Sequence, residues 1–383
     1  MVDQRYLWDS LNQLNQRIDA LGDGSGVQVA ETFVNDSLGR LTQYTVSGGG
    51  GSRAVTMGYN ALGMMLSKSD VGNYSYPAQG TVNGRPHALQ SVSGISVNYS
   101  YDLNGNATTA SAGKWRSIAY TSFNLPDGSS GIQGPGGTPK QTWQYDENHH
   151  RIRDDRVNAS GTRTTWNLHP DNQGGLGFEW EIAPTGSQSN RHYLSAGGSA
   201  FAVLVTTSAL PVLGTTQTAP AALSGVTAVK LEYWHKDHLG SLIATTDHAG
   251  SVTARYAYDP FGKRRFTNAS YDPFGALVVD WTTDTNNGTD RGFTGHEHLD
   301  NLGLVHMNGR VFDPNIGRFL QTDPLIQDPF NLQNFDRYGY CYNNPLTCTD
   351  PSGHSLKSRR KTGTGSIGRE RSQVPHHSCA DRG

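Results

Sequence analysis

The sequence predicts an all-β protein built from short β-hairpins that repeat along the chain. The first observation is a motif of an aromatic or apolar residue, then Asp or Asn, two variable residues and Gly, which recurs about every 22 residues. The second is the composition: 46 glycines, 17 tyrosines, 12 phenylalanines and 7 tryptophans stand among 383 residues, of which only 17% are charged. Aromatic residues favour strands and glycine favours tight turns, so both observations indicate short strands joined by turns.

Copies of the motif occur along most of the chain. They begin at Trp8, Val34, Tyr59, Tyr101, Phe123, Tyr145, Tyr258 and Tyr271. The Asp or Asn positions 36, 60, 102, 124 and 146 are 24, 42, 22 and 22 residues apart, and the longest step is close to two repeats. A period of this length fits two short strands and two turns, so the sequence predicts a hairpin in each repeat.

Each position of the motif has a physical role. Asp or Asn accepts hydrogen bonds from backbone N–H groups further along the chain and so starts a turn. Gly supplies the positive φ that closes the turn. The Tyr before the Asp is expected on a strand, with its ring packed on the next repeat. Between Leu7 and Leu21 the apolar residues are spaced as in a helix, but the motif at Trp8 favours strand and turn there.

Charge, hydropathy and cysteine content limit the class of protein. The formal net charge of −2 provides no general attraction for nucleic acid or acidic lipid, so neither is expected as a partner. The most apolar stretch, Ala196–Gly214, contains Gly, Pro, Thr and Ser and does not fit a membrane span, which needs ~20 mostly apolar residues. Residues 1–10 lack a charged region followed by an apolar one, so no Sec signal peptide is visible. Cys341 and Cys348 could form a disulfide, although nothing in the sequence requires it.

The second half of the chain carries a series of longer motifs. They are Tyr233–Ser241 (YWHKDHLGS), Thr246–Gly250 (TDHAG), Tyr258–Gly262 (YDPFG), Phe293–Glu297 (FTGHE), Gly303–Pro314 (GLVHMNGRVFDP), Gly317–Pro324 (GRFLQTDP), Asn343–Leu346 (NNPL) and Thr349–Gly353 (TDPSG). In this order they resemble the RHS repeat-associated core domain. The upstream motifs resemble the YD repeats of RHS proteins, polymorphic toxins and toxin-complex C components. We therefore expect a YD-repeat region over 1–232 with an Ala/Thr-rich insertion near 214–229, a core domain over 233–353, and a short, basic, disordered tail over 354–383.

The resemblance implies a spiralling β-sheet that forms part of a hollow shell, with the core domain as a plug at its C-terminal end. In such proteins the shell encloses a C-terminal toxin, so the implied function is that of the structural shell and plug of a secreted toxin. The implied partners are the chain's own toxin segment, which this sequence lacks, and secretion or toxin-complex components. The implied location is outside the cell or at its surface, reached by a specialised secretion system.

The resemblance also implies a self-cleaving aspartyl peptidase, whose residues match Asp323, Asp350 and Arg310 here. Two neighbouring carboxyl groups that share one proton provide an acid and a base for activating water. Arg310 would hold one carboxylate ionised or polarise the scissile carbonyl. The alternative role is structural, because Asp-Pro favours turns and occurs six times, at Asp259, Asp272, Asp313, Asp323, Asp328 and Asp350. His354 stands where many cleaving relatives have Leu, and any cut is expected within Gly353–Leu356.

Metal binding and carbohydrate binding are two further interpretations of the sequence. His235 and His238, and likewise His296 and His298, are spaced so that a metal is conceivable, but no metal or cofactor is expected. Exposed Tyr and Trp rings that stack on sugars would instead make the chain a surface carbohydrate-binding protein. The hypotheses for function are therefore a structural shell and plug, a single-turnover aspartyl autoprotease, and a carbohydrate-binding repeat protein.

Overall fold

The computed structural model of the chain describes residues 2–78, 80, 85–111, 116–168, 176–209, 226–270, 289–358 and 368–370. The motif copy predicted at Tyr271, most of the Ala/Thr-rich insertion and most of the basic tail lie outside these residues. Every regular element within them is a β-strand or a short 3-10 helix, which confirms the all-β prediction. In this described part no helix is long and apolar enough to cross a membrane, and the stretch 196–214 contributes a strand at Ser199–Ala209.

The first 21 strands form an antiparallel meander in which each strand pairs with the next along the chain. These strands are β1 (Gln4–Trp8), β2 (Leu14–Asp19), β3 (Val29–Asn35), β4 (Leu41–Gly48), β5 (Gly51–Tyr59), β6 (Met65–Lys68), β7 (Gly72–Ser75), β8 (Ser91–Val92), β9 (Val97–Tyr101), β10 (Ala107–Ala110), β11 (Arg116–Ile118), β12 (Ile132–Gln133), β13 (Lys140–Tyr145), β14 (Arg151–Asn158), β15 (Gly161–Leu168), β16 (Phe178–Ile182), β17 (Ser187–Ala196), β18 (Ser199–Ala209), β19 (Val226–Lys236), β20 (Leu242–Thr246) and β21 (Val252–Arg255). The region from Leu7 to Leu21 forms β1, a turn and β2, as the motif at Trp8 predicts. The meander continues past residue 233, because β19 crosses it.

The repeated motif forms tight turns between successive strands. At Asp36 the carboxylate accepts hydrogen bonds from the backbone N–H groups of Leu38 and Arg40, both at 3.0 Å, and Gly39 has φ +79°. A side chain cannot easily adopt that φ, so glycine closes the turn at little cost. The same forward bonds are made by Asp9, Asn60, Asp146, Asp237, Asp247 and Asp259. The role predicted for Asp and Asn is therefore confirmed.

One copy of the motif is displaced from its predicted position. The turn between β11 and β12 starts at Thr121, whose backbone N–H donates to Leu125 O at 2.8 Å and whose hydroxyl accepts from Leu125 N. Asn124 was predicted to occupy the Asp position, but it adopts φ +66° and takes the place of the glycine. Asn is among the few residues that tolerate this conformation, so the same residue type fits both positions of the turn.

The hydroxyl groups of the repeat tyrosines donate hydrogen bonds to backbone carbonyls earlier in the chain. The hydroxyl of Tyr59 donates to Leu41 O at 2.7 Å, and that of Tyr101 donates to Leu89 O at 2.8 Å. Tyr76, Tyr120, Tyr145 and Tyr258 make equivalent bonds to a carbonyl 11 to 19 residues earlier. The hydroxyl groups therefore bond to the preceding part of the chain, and the packing of the ring on the next repeat stays a prediction.

The rest of the described chain forms short elements that pack against the meander. The strands are β22 (Ala257–Tyr258), β23 (Arg264–Arg265), β24 (Glu297–Leu299), β25 (Leu304–His306), β26 (Val311–Asp313), β27 (Arg318–Phe319), β28 (Cys348–Thr349), β29 (Lys357–Ser358) and β30 (Gly368–Glu370), with β30 paired to β1. The 3-10 helices are Pro135–Gly137, Phe293–Gly295, Asp300–Leu302, Leu332–Phe335 and Cys341–Asn343. A disulfide joins Cys341 to Cys348, the pairing that the sequence left open. We call residues 289–353 the plug segment.

The plug segment binds the turns of successive repeats. The Asn344 side chain donates to Gln13 at 2.6 Å, and the Asn343 side chain donates to Gly63 O at 2.7 Å. The Tyr338 hydroxyl donates to Gly105 O, also at 2.7 Å. These partners lie in the turns of three different repeats, so one short stretch of the plug segment connects repeats that are distant in sequence.

The start of the meander also meets the turn after β19 beside the plug segment. The rings of Tyr6 and His238 are 4.8 Å apart, and the guanidinium of Arg17 lies 3.3 Å from the carboxylate of Asp237. His238 in turn contacts Leu346 O at 3.1 Å. A single hydrophobic cluster therefore joins inner residues of early strands, such as Leu14, Leu41 and Met65, to Phe261, Phe312, Phe319 and Tyr340.

Candidate functional site

The structure brings the three residues predicted from sequence into direct contact. Arg310 precedes β26, Asp323 follows β27, and Asp350 follows β28. The Arg310 Nη2 atom lies 2.9 Å from Asp323 Oδ2 and 3.0 Å from Asp350 Oδ2. All three stand just outside short strands, where turns direct their side chains to one point. The remaining Asp-Pro residues of the described chain take no part in this cluster.

Arg310 is held in one orientation by its surroundings. Its side chain is 2% exposed, and its guanidinium carbon lies 3.6 Å from the centre of the Phe319 ring. Nη1 donates to Arg337 O at 3.2 Å and Nε donates to Gly353 O. Burial lowers the pKa of Arg310, and the Asp323 and Asp350 carboxylates oppose that effect. The guanidinium therefore touches both carboxyl groups and a carbonyl of the predicted cleavage region at once.

The Asp-Pro-Ser-Gly turn is fixed closely against the plug segment. Gly309 N–H donates to Ser352 O at 2.8 Å, and Gly353 has φ +77°. A Cβ atom on Gly353 would stand 2.2 Å from Met307 O, closer than any contact that atoms tolerate. His296 Nε2 also bonds to Asp350 O at 3.0 Å. These contacts set the position of the Asp350 carboxylate and of the residues that follow it.

The residues after Gly353 pass directly over the carboxyl groups. Ser355 N–H donates to Asp350 Oδ1 at 2.8 Å. The His354 ring has its Nδ1 atom 3.8 Å from Asp323 Oδ1 and packs onto Gly309, where an added Cβ would meet the ring at 2.4 Å. The stretch predicted to contain a cut therefore lies against the predicted residues.

The histidine pairs that the sequence offered as metal ligands make other contacts in the structure. His296 and His298 are buried, and burial lowers the pKa of His296 to about 4, so that its ring is neutral at ordinary pH. His235 lies 3.0 Å from the Thr246 hydroxyl. Among the described residues no group of three or more His, Cys, Asp or Glu side chains is arranged to hold a metal ion.

The structure contains a buried ionic network that the sequence did not predict. Arg151 and Arg156 of β14 both donate to Glu297 of β24, and Arg156 also bonds to Asp154 at 2.9 Å and to Asp290. Burial alone would raise the pKa of Glu297, but the guanidinium groups of Arg151, Arg156 and Arg291 lower it to about 2. Burial raises the pKa of Asp154 to about 7; the Arg156 guanidinium opposes that effect and the Glu297 carboxylate adds to it. No sequence signal pairs these groups, because Arg151 and Glu297 are 146 residues apart.

Comparison with known proteins agrees with this architecture. Residues 243–346 match the sequence profile of the Teneurin YD-shell family. The matched residues run from β20 into the plug segment, and over this part the chain is similar to YD-shell proteins.

Individual relatives are larger proteins. The chain is 26% identical to the tRNA3(Ser)-specific nuclease WapA of Bacillus spizizenii over 72% of this chain and 10% of that protein. It is 24% identical to the double-stranded DNA deaminase toxin A of Burkholderia cenocepacia over 88% of this chain and 23% of that protein. The Photorhabdus luminescens Tc holotoxin pore aligns with 96% of this chain and 16% of its own, at 16% identity and a TM-score of 0.49. The chain thus spans a quarter or less of the length of these relatives.

Proposed function

We propose that this chain is the shell-and-plug segment of a longer secreted toxin and that it presents a toxic segment lying C-terminal to residue 353. The observation that carries this proposal is the binding of the plug segment to the repeat turns. Asn343, Asn344 and Tyr338 bond to turns in three repeats, so the plug segment and the meander behave as one unit. A rigid unit of this kind suits a container whose end is closed by its own chain.

The named activities of the relatives point in the same direction. One is described as a tRNA nuclease and another as a DNA deaminase toxin, and this chain matches only 10% and 23% of their lengths. A segment shared by proteins with different activities serves the function that they have in common, which we propose is packaging and delivery. The partners are then the chain's own toxic segment and the components of a specialised export or toxin-complex system.

Expression of the full natural reading frame tests this proposal. We expect further YD repeats upstream of the sequence and a toxic segment downstream. In the intact product, added protease should spare the toxic segment, whereas the same segment expressed alone should be degraded. Equal degradation of the two forms, or a reading frame with no further repeats, would contradict the shell function.

A second function, self-cleavage by an aspartyl peptidase, is supported by one specific arrangement. Arg310 Nη2 lies within 3.0 Å of both Asp323 and Asp350, and Arg310 Nε donates to Gly353 O. We propose that one carboxyl group of the pair Asp323 and Asp350 acts as the base that activates water and the other as the acid, while Arg310 keeps the pair together. Cleavage would separate the shell from whatever follows it.

Intact-mass measurement of the purified chain tests self-cleavage. The wild type should release a short C-terminal peptide, and Asp323→Asn and Asp350→Asn should each stop that release while leaving the fold intact. Asp328→Asn is the matched control, because Asp328 is an exposed Asp-Pro residue outside the cluster. A wild-type chain that stays at full length, or an Asp323→Asn chain that still cuts, would contradict the peptidase function.

The carbohydrate-binding alternative gains no comparable support. The hydroxyl groups of the repeat tyrosines Tyr59, Tyr76, Tyr101, Tyr120 and Tyr145 all bond to backbone carbonyls within the sheet. Rings held in this way are poorly placed to stack on a sugar.

A further inference from the structure

We propose that the buried side chains of Lys68 and Asp259 join in an amide bond, with Asp70 as the base that releases the lysine amine. The bond would form once in each folded chain and would tie the meander covalently to the residues that precede the plug segment. This inference is independent of the container and peptidase functions proposed above, because it uses none of the residues on which they depend.

Lys68 lies inside the protein with two carboxyl groups beside it. Its side chain is fully buried at the end of β6, and its Nζ atom donates to Asp70 Oδ1 at 2.7 Å and to Asp70 Oδ2 at 2.6 Å. Nζ is also 4.0 Å from Oδ2 of Asp259, which stands in the turn between β22 and β23. The side chains of Asp70 and Asp259 are 4% and 7% exposed, so the three groups meet where water is largely excluded.

The two carboxyl oxygens of Asp259 have different surroundings. Oδ1 accepts hydrogen bonds from the backbone N–H groups of Phe261 at 2.9 Å and Lys263 at 2.8 Å. Oδ2 is buried and accepts no hydrogen bond from the described residues. Two N–H donors stabilise negative charge that develops on an oxygen, as an oxyanion hole does in acyl transfer. Oδ1 is therefore held as the oxygen that stays on the carbon, and Oδ2, beside Lys68, is free to leave.

The proton positions that the reaction needs are also accessible. Burial raises the pKa of Asp259; the Lys68 ammonium opposes that effect and the Asp70 carboxylate adds to it. A protonated carboxyl group can lose its hydroxyl as water, whereas a carboxylate repels a nucleophile. Asp70 accepts from Lys68 through both oxygens, so it is placed to take the proton that the ammonium must lose before its nitrogen can react.

The proposed reaction balances without any added reactant. Asp70, ionised, takes a proton from the Lys68 ammonium, and the lone pair of Nζ then bonds to Cγ of protonated Asp259. The charge that develops on Oδ1 is stabilised by its two N–H donors. Oδ2 already carries one proton, receives a second from the nitrogen, and leaves as water when its bond to Cγ breaks. The products are a neutral amide, one water molecule and a protonated Asp70, which releases its proton to solvent.

Two features of the site favour the amide over the separate side chains. Groups that a fold holds in contact react as if at an effective concentration of about 10⁵–10⁸ M, which offsets the unfavourable condensation seen in bulk water. Charges buried away from water also lose solvation that their mutual attraction only partly returns, and a neutral amide avoids this loss. Lys230 has neither advantage, because it is 42% exposed and pairs with Glu232 at the surface.

Mass spectrometry of the reduced and denatured chain tests the bond. We expect the wild type to be lighter than its sequence mass by one water molecule, and its tryptic digest to contain a branched peptide that joins Lys68 to Asp259. A wild type that keeps the full sequence mass after long incubation in the folded state would overturn the proposal. A water loss that maps to Lys68 and Asp70, or to other residues, would overturn it as well.

Three substitutions test the roles of the individual groups. Lys68→Arg keeps the charge but removes the amine, so the water loss should disappear, and a loss that persists would refute the assignment. Asp70→Asn keeps the size of the side chain but removes the base, so the bond should form about 10²–10⁴-fold more slowly when followed from freshly synthesised protein. An unchanged rate would refute the role of Asp70. Lys230→Arg is the matched control and should lose water as the wild type does, and circular dichroism should show all three variants folded.

Discussion

Replacing Tyr101 by Ala should show how strongly a repeat tyrosine holds the sheet and the plug segment together. The Tyr101 hydroxyl bonds to Leu89 O of the preceding repeat at 2.8 Å, and its ring packs edge-on against Tyr338 with centroids 6.0 Å apart. Tyr338 itself bonds to Gly105 O, so the ring lies at the junction of two repeats and the plug segment. The substitution therefore removes contacts with all three.

The expected cost follows from these contacts. Truncating a buried aromatic side chain to Ala costs ~3–5 kcal/mol, and Tyr101 is partly rather than fully buried, so we expect about 3 kcal/mol. Tyr101→Phe keeps the ring and removes the hydrogen bond, which should cost about 1 kcal/mol. Thr109→Ala changes an exposed position on the neighbouring strand β10 and should cost no more than about 0.5 kcal/mol.

Urea denaturation of the four proteins measures these differences as shifts of the unfolding midpoint at constant slope. The midpoints should fall in the order wild type, Thr109→Ala, Tyr101→Phe and Tyr101→Ala, with the first two nearly equal. Equal midpoints for Tyr101→Ala and Thr109→Ala would show that the tyrosine contacts contribute nothing to stability, and the explanation of the motif would then be wrong.

Three further predictions concern the plug segment and its ionic partner. Asn343→Ala should lower the unfolding free energy by about 1–3 kcal/mol, because it leaves the buried carbonyl of Gly63 without its donor; a urea midpoint equal to that of the wild type would contradict this. Reduction of the Cys341–Cys348 disulfide, which closes a short loop, should lower the free energy of unfolding by roughly 2–3 kcal/mol, and the melting temperature of Cys348→Ser should not respond to reductant. The pKa of Asp154 is raised to about 7 in the folded state, above its value in an unfolded chain. The protonated Asp154 side chain therefore contributes its full stabilisation at low pH, and this stabilisation is lost as the pH rises to about 7. The melting temperature of the wild type should therefore fall between pH 5 and pH 8 by more than that of Asp154→Asn, and parallel pH profiles would contradict the assignment.

The Arg310, Asp323 and Asp350 cluster is in contact with the hydrophobic cluster and lies close to the ionic network, so its geometry depends on the stability of the fold. Arg310 contacts Phe319, which belongs to the same hydrophobic cluster as inner strands of the meander. Asp350 is fixed through its carbonyl by His296, close to Glu297 of the ionic network. The geometry at Asp323 and Asp350 thus depends on the packing of the plug segment against the meander.

The local structure of this protein was determined by its sequence to a large extent. Each turn depends on a side chain that bonds to N–H groups two and four residues ahead, as Asp36 does, so the motif contains all the partners that it needs. The displaced turn at Thr121 shows the limit of this local rule, because Asn fits both the first and the fourth position of the turn. The residues of the candidate site could also be predicted from the sequence, since Arg310, Asp323 and Asp350 lie in motifs that resemble those of the RHS core domain.

The tertiary structure alone decided which distant groups meet. Arg151 and Glu297 come together across 146 residues, and Gln327 meets His354 and Leu356 from a different loop. Neither pairing leaves a periodic signal, because it depends on how the meander curves around the plug segment and not on spacing along the chain. The direction of the tyrosine bonds likewise depends on which repeat lies beside which. Burial then makes these contacts strong, since charges and amides removed from water interact mainly with the partners that the fold provides.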